Sequence, residues 1–458
     1  MDMKTPAESE SDTNLSPQRK AWADRNISGG ARVLLTEDEA CFLRQSVSTP
    51  CLNAITKAEG IWIEDTAGRR YMDFHGNNVH HIGYGHPRLK RAIAEQMDAL
   101  PFTPRRYTSD VPVALARKLA EITPGDLSKV LFTTGGSDAN EVAIKIARVA
   151  TGRYKTLSFW DAFHGAGYGA SAIGGEALFR ASALGPLMPG AEHVAPFGSY
   201  RCPYGTSSAE ESGDACLRMI DYVLGREGDV AAFIAEPIRA VPYVPPPGFW
   251  RKVRALCDKH GTLLILDEIP TGLGKTGKMF ACEHDGVTPD ILVLGKALGG
   301  GILPIAAVVA RPDLDVGGNY AFGHYTHEKN PVTARAALTT IEIIEDENLV
   351  ENAATVGAYA LDRLDDMMQK HRLVGDVRGQ GLVIGIELVT DRDSKTPAKD
   401  AAEAVMYRAM DAGLSFKTTF GNVLTLTPPL TLTQGEMAKA IDIIDAAIGE
   451  VAREQGHG

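Results

Sequence analysis

Cysteine is scarce. Six residues (Cys41, Cys51, Cys202, Cys216, Cys257, Cys282) in 458, without paired short spacings, exclude a disulfide framework and fit a reducing, cytoplasmic setting. Long apolar runs are also missing: the nearest window, residues 291–310, contains Lys296, four glycines and Pro304, and reads as buried strand, loop, buried strand instead of a membrane span. Basic residues are in deficit, 47 Lys plus Arg against 58 Asp plus Glu, and the net charge of −11 argues against a broad nucleic-acid footprint. A local anion pocket stays open. The polar start, Met1 to Lys20, has no apolar stretch resembling a signal peptide and is expected to be part of a flexible tail. What is present is an ordinary globular composition, 44% apolar and 23% charged, with 47 Gly and 25 Pro spread evenly.

Along the chain, Ile61 to Phe74 reads as a hairpin turning at Ala67-Gly68, followed by the unusual run His75-Gly-Asn-Asn-Val-His-His-Ile-Gly-Tyr-Gly-His-Pro87. A helical period from Val111 to Ile122 stops at Pro124-Gly125. A strand at Val130 to Thr133 leads through Thr134-Gly-Gly-Ser137 into a helix from Asp138 to Ala150. Further strands near Thr156 to Trp160, Val230 to Ala235, Thr262 to Leu266 and Ile291 to Leu294 alternate with helical segments such as Gly248 to His260, which predicts a mostly parallel sheet covered by helices. From Val332 a long helical pattern runs through Asn348 to Met368, and strands at Leu382 to Leu388 and Val423 to Leu426 follow in an α+β tail.

Four places along this sheet carry chemistry. Gly135-Gly136-Ser137, between strand and helix, offers N–H groups and a helix dipole to a phosphate, although a plain helix cap reads as well on its own. Asp267-Glu268 ends a buried strand at the carboxyl edge, where α/β ligands bind. Lys296 directly follows another buried strand and is flanked by glycines; such a lysine can lose its proton and form a Schiff base, or merely reach for solvent. Phe163, before His164 and Gly165, could cover a flat ring or fill the core. Phosphate loop, ring-stacking aromatic, strand-end acid and strand-end lysine are together what pyridoxal phosphate requires. The letters Gly272-Leu-Gly-Lys-Thr-Gly277 imitate a nucleotide loop, but the first glycine of a P-loop would fall at Ile269. Histidines 80, 81, 86, 324 and 327 lack the helical spacing or cysteine partners of a metal site, so no metal is expected.

From about Leu52 to Ala447 the chain resembles the class III aminotransferase family, of PLP fold type I. Thr134-Gly-Gly-Ser-Asp-Ala-Asn-Glu141 resembles the family's phosphate loop, Asp267-Glu-Ile-Pro-Thr-Gly-Leu-Gly-Lys-Thr-Gly277 its Asp-Glu-Val-Gln-Thr-Gly-Phe-Gly-Arg signature, Gly295-Lys296-Ala-Leu-Gly-Gly-Gly301 its lysine motif, and Ala235-Glu236-Pro237 its Ala-Glu-Pro. The resemblance implies an α/β, aspartate aminotransferase-like fold, with a large domain on a mostly parallel seven-stranded sheet and a small α+β domain. Its expected divisions are a flexible tail (1–30), a small-domain segment (31–90), the PLP-binding domain (91–335) and the small domain (336–458). It also implies cofactor contacts from Gly136, Ser137, Phe163, His164, Glu236, Asp267, Lys296 and Thr326, with Asp267 and Lys296 catalytic. Thr326 matches a threonine that reaches the neighbouring subunit's phosphate, so a homodimer with shared sites is expected, which could pair into a tetramer.

Departures from the pattern refine the expectation. Where family aminotransferases carry an arginine that clamps a substrate carboxylate, this chain has Thr425, in Val423-Leu-Thr-Leu-Thr-Pro-Pro-Leu430, and the motif glutamine is Pro270. Asn77-Asn78-Val79-His80 is similar to an element of the family's ethanolamine-phosphate phospholyases. Together with Pro104-Arg105-Arg106-Tyr107 and His324-Tyr-Thr-His-Glu-Lys329 it looks still more like the ammonia-lyases acting on 2-amino-1-hydroxyethylphosphonate. The expected activity is therefore a PLP-dependent carbon–oxygen lyase in phosphonate breakdown, giving phosphonoacetaldehyde and ammonia, with phospholyase and ordinary aminotransferase as alternatives. Asn77, Asn78, His80, Arg105, Arg106, Tyr107 and Lys329 are its expected substrate residues, and the acid for the leaving oxygen is sought among His80, Tyr107 and Glu328.

Overall fold

The computed structural model describes residues 16–45, 48–198 and 200–455. The chain forms two units, one of Asn77–Ile82 and Pro87–Glu351, the other of the chain up to Gly76, Gly83–His86 and Asn352 onward.

The first unit is built on seven strands: β1 (Lys129–Thr133), β2 (Lys155–Phe159), β3 (Ala191–Val194), β4 (Val230–Ala235), β5 (Leu263–Asp267), β6 (Ile291–Leu294) and β7 (Ala306–Ala310). Their order across the sheet is β1-β7-β6-β5-β4-β2-β3. All neighbours pair in parallel except β7, which runs antiparallel to β6 and β1. The runs Leu264-Ile-Leu266 and Ile291-Leu-Val-Leu294 are at most 1% exposed, as expected of strands covered on both faces. One cover is the helix Gly136–Thr151, which turns Ala139, Val142, Ala143 and Ala147 inward at 3.6-residue spacing. Because Thr133 pairs with Ala306 and Leu294 with Ala307, the ends of β1 and β6 lie level. The loops leaving β1, β2, β4, β5 and β6 therefore share the carboxyl edge of the sheet.

The second unit holds a four-stranded sheet that includes the hairpin Trp62–Asp65 and Arg70–Asp73, and a five-stranded sheet centred on Val383–Asp391 and Val423–Leu426. Helices Lys399–Asp411 and Gln434–Glu454 accompany them.

Three expectations change. Part of the stretch expected as a flexible tail is the helix Pro17–Asn26, capped by the Ser16 side chain and anchored by Trp22, which is fully buried and donates to Asp411 Oδ1 at 2.7 Å; residues 1–15 lie outside the described residues. The long helical pattern after Val332 is two helices, Pro331–Asp346 and Leu349–Lys370, because Asn348 takes φ +52°. The first of them belongs to the sheet-bearing unit, so the division falls at residue 351 and not 335. Among the described residues no helix is long and apolar enough to cross a membrane.

Candidate active site

Ile269 shows how the sheet edge gathers the motifs. A Cβ on Gly136 would stand 2.6 Å from Ile269 Cδ1, and one on Gly295 would stand 3.3 Å from Ile269 Cγ2. The phosphate loop and the lysine loop thus close on the same side chain, two residues past Asp267, and glycine at both positions lets them approach without displacing it. Ser137, second residue of its helix, accepts from Ala166 N at 3.1 Å, and Gly165, at φ +130°, leaves no room for a Cβ beside Ser137. This ties the loop after β2 to the start of the helix.

Asp267 is 1% exposed. Its Oδ2 accepts from Asn140 Nδ2 at 2.8 Å and lies 2.8 Å from His164 Nδ1, while Oδ1 accepts from Ile269 N at 3.1 Å. Asn140 also donates to His164 O at 2.8 Å, so one buried amide fixes both the acid and its histidine. A buried carboxylate oriented by its neighbours is suited to pairing with a protonated ring nitrogen. Asn140 belongs to the phosphate-loop sequence but was not among the expected site residues. The available signal was an amide one helical turn past Gly136 on a face otherwise of alanine, valine and isoleucine.

Lys296 is half-buried and opens a 3-10 turn, Lys296–Gly299, with φ +44°. A non-glycine residue in this region costs on the order of 1–3 kcal/mol, the kind of strain found where a side chain must be aimed. Gly300 and Gly301 follow at φ +66° and +74°; a Cβ on Gly301 would meet Val79 O at 3.1 Å. That contact brings the 77–82 segment beside the lysine turn. Within this segment Asn77 is exposed, whereas Asn78 (4%), His80 (0%) and His81 (1%) are buried, and both asparagines are left-handed. His80 is therefore sealed from solvent. His81 Nε2 lies 3.2 Å from Gly272 O, and burial, with the nearby Lys275, pushes this histidine well below its usual range and keeps it neutral.

Glu236 follows β4 at 6% exposure and accepts from Phe163 N at 3.4 Å; Phe163 is half-buried against Phe179, ring centroids 4.7 Å apart. Thr326 and Lys329 are exposed in the turn before the helix Pro331–Asp346, and Arg105, Arg106 and Tyr107 are exposed in a turn closed by Tyr107 N to Pro104 O at 2.8 Å. The edge of the Phe102 ring meets His327 at 5.7 Å, so the two cation-bearing turns adjoin. The nucleotide-loop letters at 272–277 lie in turns followed by a 3-10 helix, Ala281–His284, and Lys275 is fully buried, so no phosphate-cradling helix opens there. Among the described residues no group of three His, Cys, Asp or Glu is placed to hold a metal ion.

A glycine-lined helix start, a fixed buried acid, a half-buried aromatic and a strained lysine on one sheet edge fit pyridoxal phosphate. Comparison with known proteins agrees. The model of the family described as aminotransferase class-III matches residues 44–448. The (R)-1-hydroxy-2-aminoethylphosphonate ammonia-lyase of Vibrio splendidus (strain 12B01) is 43% identical, over 97% of this chain and 96% of its own. A leucine/methionine racemase from Thermococcus litoralis is 40% identical, over 86% and 90%. Among solved structures, an amine transaminase from an uncultivated Pseudomonas species, in its PLP-bound form, is similar with a TM-score of 0.85 at 31% identity, over 90% of this chain and 98% of that one.

Proposed function

From the premise that this chain belongs to the class III aminotransferase family, we propose that it is a pyridoxal phosphate-dependent ammonia-lyase converting 2-amino-1-hydroxyethylphosphonate to phosphonoacetaldehyde and ammonia. The observation that carries the reading is Thr425. In the strand Val423–Leu426, at the place of the family's carboxylate-clamping arginine, Thr425 is fully buried with Oγ1 2.8 Å from Thr419 Oγ1. A threonine hydroxyl bonded to its neighbour has no charged, two-pronged donor to offer a keto acid's carboxylate. The named activity of the Vibrio relative supports the same choice.

Pyridoxal phosphate, when bound, supplies an electron sink that acidifies the C–H beside the substrate nitrogen. Gly136 and Ser137, at a helix start, bind its phosphate; Phe163 covers a ring face; Asp267, held by His164 and Asn140, keeps the ring nitrogen protonated. Glu236 steadies Phe163 through its backbone, and Thr326 reaches the phosphate of a second copy in a homodimer. Lys296 takes the proton from the carbon bearing nitrogen. Arg105, Arg106 and Lys329 supply charge for the phosphonate dianion, with Asn77, Asn78, His80 and Tyr107 around it. The β-hydroxyl leaves with a proton from His80, Tyr107 or Glu328. Water lost in this elimination is regained when the resulting enamine hydrolyses, so the net products are ammonia and the aldehyde.

The test incubates pure holoenzyme, without keto acid, with 2-amino-1-hydroxyethylphosphonate, ethanolamine phosphate or leucine. Ammonia without inorganic phosphate from the first compound is expected. Equal ammonia and phosphate from the second would make the protein a phospholyase, and loss of leucine's optical rotation without ammonia would make it a racemase.

A further inference from the structure

Arg239 stands three residues beyond Glu236, in a turn closed by its own backbone pairing with Tyr243. Its side chain is 8% exposed and lies between two buried carboxylates: Nη2 donates to Glu176 Oε1 at 2.7 Å, and Nε lies 3.6 Å from Glu236 Oε2. Both residues hold the peptide between Ala162 and Phe163 in the loop leaving β2, Glu236 through its carboxylate and Glu176 through its backbone. Glu236 accepts from Phe163 N. Glu176 N, with Gly175 N, donates to Ala162 O, at 3.3 and 2.7 Å. The fit there is tight, since a Cβ on Gly175 would stand 2.3 Å from Asp161 N.

We propose that Arg239 is a positioning residue for the cofactor: by drawing Glu236 and Glu176 together it fixes the 160–165 loop, and with it the Phe163 ring and the His164 that orients Asp267. This rests on family membership alone and holds whichever substrate the enzyme takes. Removing the guanidinium takes away the cation that bridges these two buried carboxylates, so Glu236 and Glu176 separate and loosen their hold on the peptide between Ala162 and Phe163, and with it Phe163 and His164.

Three variants of the holoenzyme test this: Arg239→Met, Arg239→Lys, and Arg239→Met with Glu176→Gln, which restores charge balance without the bridge. The readouts are the dissociation constant for pyridoxal phosphate by equilibrium dialysis, the visible circular dichroism of the bound cofactor, and the melting temperature of the cofactor-free protein. Arg239→Met is expected to weaken cofactor binding about tenfold or more, as loss of an orienting outer group does, and to diminish the dichroic band. Arg239→Lys should bring both back towards the parent values, and the double variant should recover melting temperature but not affinity. Unchanged cofactor affinity and dichroism in Arg239→Met, or full recovery of both in the double variant, would overturn the proposal.

Discussion

Asp267, 1% exposed, has three groups within hydrogen-bond distance, and Asn140 is the one that also holds His164. Hydrogen bonds to a charged group contribute about 1.5–3 kcal/mol each, and 1.4 kcal/mol is tenfold in affinity, so Asn140→Ala should weaken retention of pyridoxal phosphate at least about tenfold. Dialysis of holoenzyme followed at the cofactor's visible band checks it. Glu268, next along, accepts from Ala281 N and Cys282 N, yet burial pushes its carboxyl from 4.5 up to about 7. Between those values the folded protein keeps a proton that the unfolded chain has lost, so this group's contribution to stability falls as pH rises across the window. Glu268→Gln cannot titrate, and the melting temperature of the parent minus that of the variant should decrease from pH 5 to pH 7. A difference independent of pH would contradict this. Asp267 and Lys296 stood out in the sequence because each is the first charge after a fully apolar run. Asn140 was not, because an amide inside a helix announces its partner only once another loop is folded against it.

Elements built on continuous apolar runs were read to within a residue or two, as with Ile291–Leu294, Val230–Ala235 and Val423–Leu426. Residues 332–368 misled because apolar periodicity continues through a break whose cause, one left-handed asparagine, leaves no periodic trace. The helix Pro17–Asn26 misled for the opposite reason: its one large apolar side chain is Trp22, and it is held by what that ring finds in the fold, stacked 6.0 Å from Tyr407. Trp22→Ala should therefore cost about 3–5 kcal/mol, seen as a lower midpoint of urea unfolding by far-ultraviolet circular dichroism. An unchanged midpoint would show that the helix merely rests there.

For the whole molecule, the carboxyl edge of the central sheet is common ground, and the relatives on this scaffold include a lyase, a racemase and a transaminase. The cofactor motifs were legible because each is a short stretch on one loop. The substrate side is harder to read, since its candidate cations lie on separate turns and act by where folding brings them, as the contact between Phe102 and His327 illustrates. What separates a lyase or a racemase from a transaminase is whether the cofactor is restored within one cycle or is left holding the amino group until a keto acid removes it. The proposed reading takes the former, from the threonine that this sequence has where the family's aminotransferases carry an arginine. The most direct measurement is the number of equivalents of phosphonoacetaldehyde formed per active site from 2-amino-1-hydroxyethylphosphonate with keto acid rigorously excluded. Continuous turnover, many equivalents per site with matching ammonia, is predicted; one equivalent of the hydroxyl-bearing aldehyde 1-hydroxy-2-oxoethylphosphonate, without phosphonoacetaldehyde or ammonia and followed by arrest that pyruvate relieves, would contradict the account.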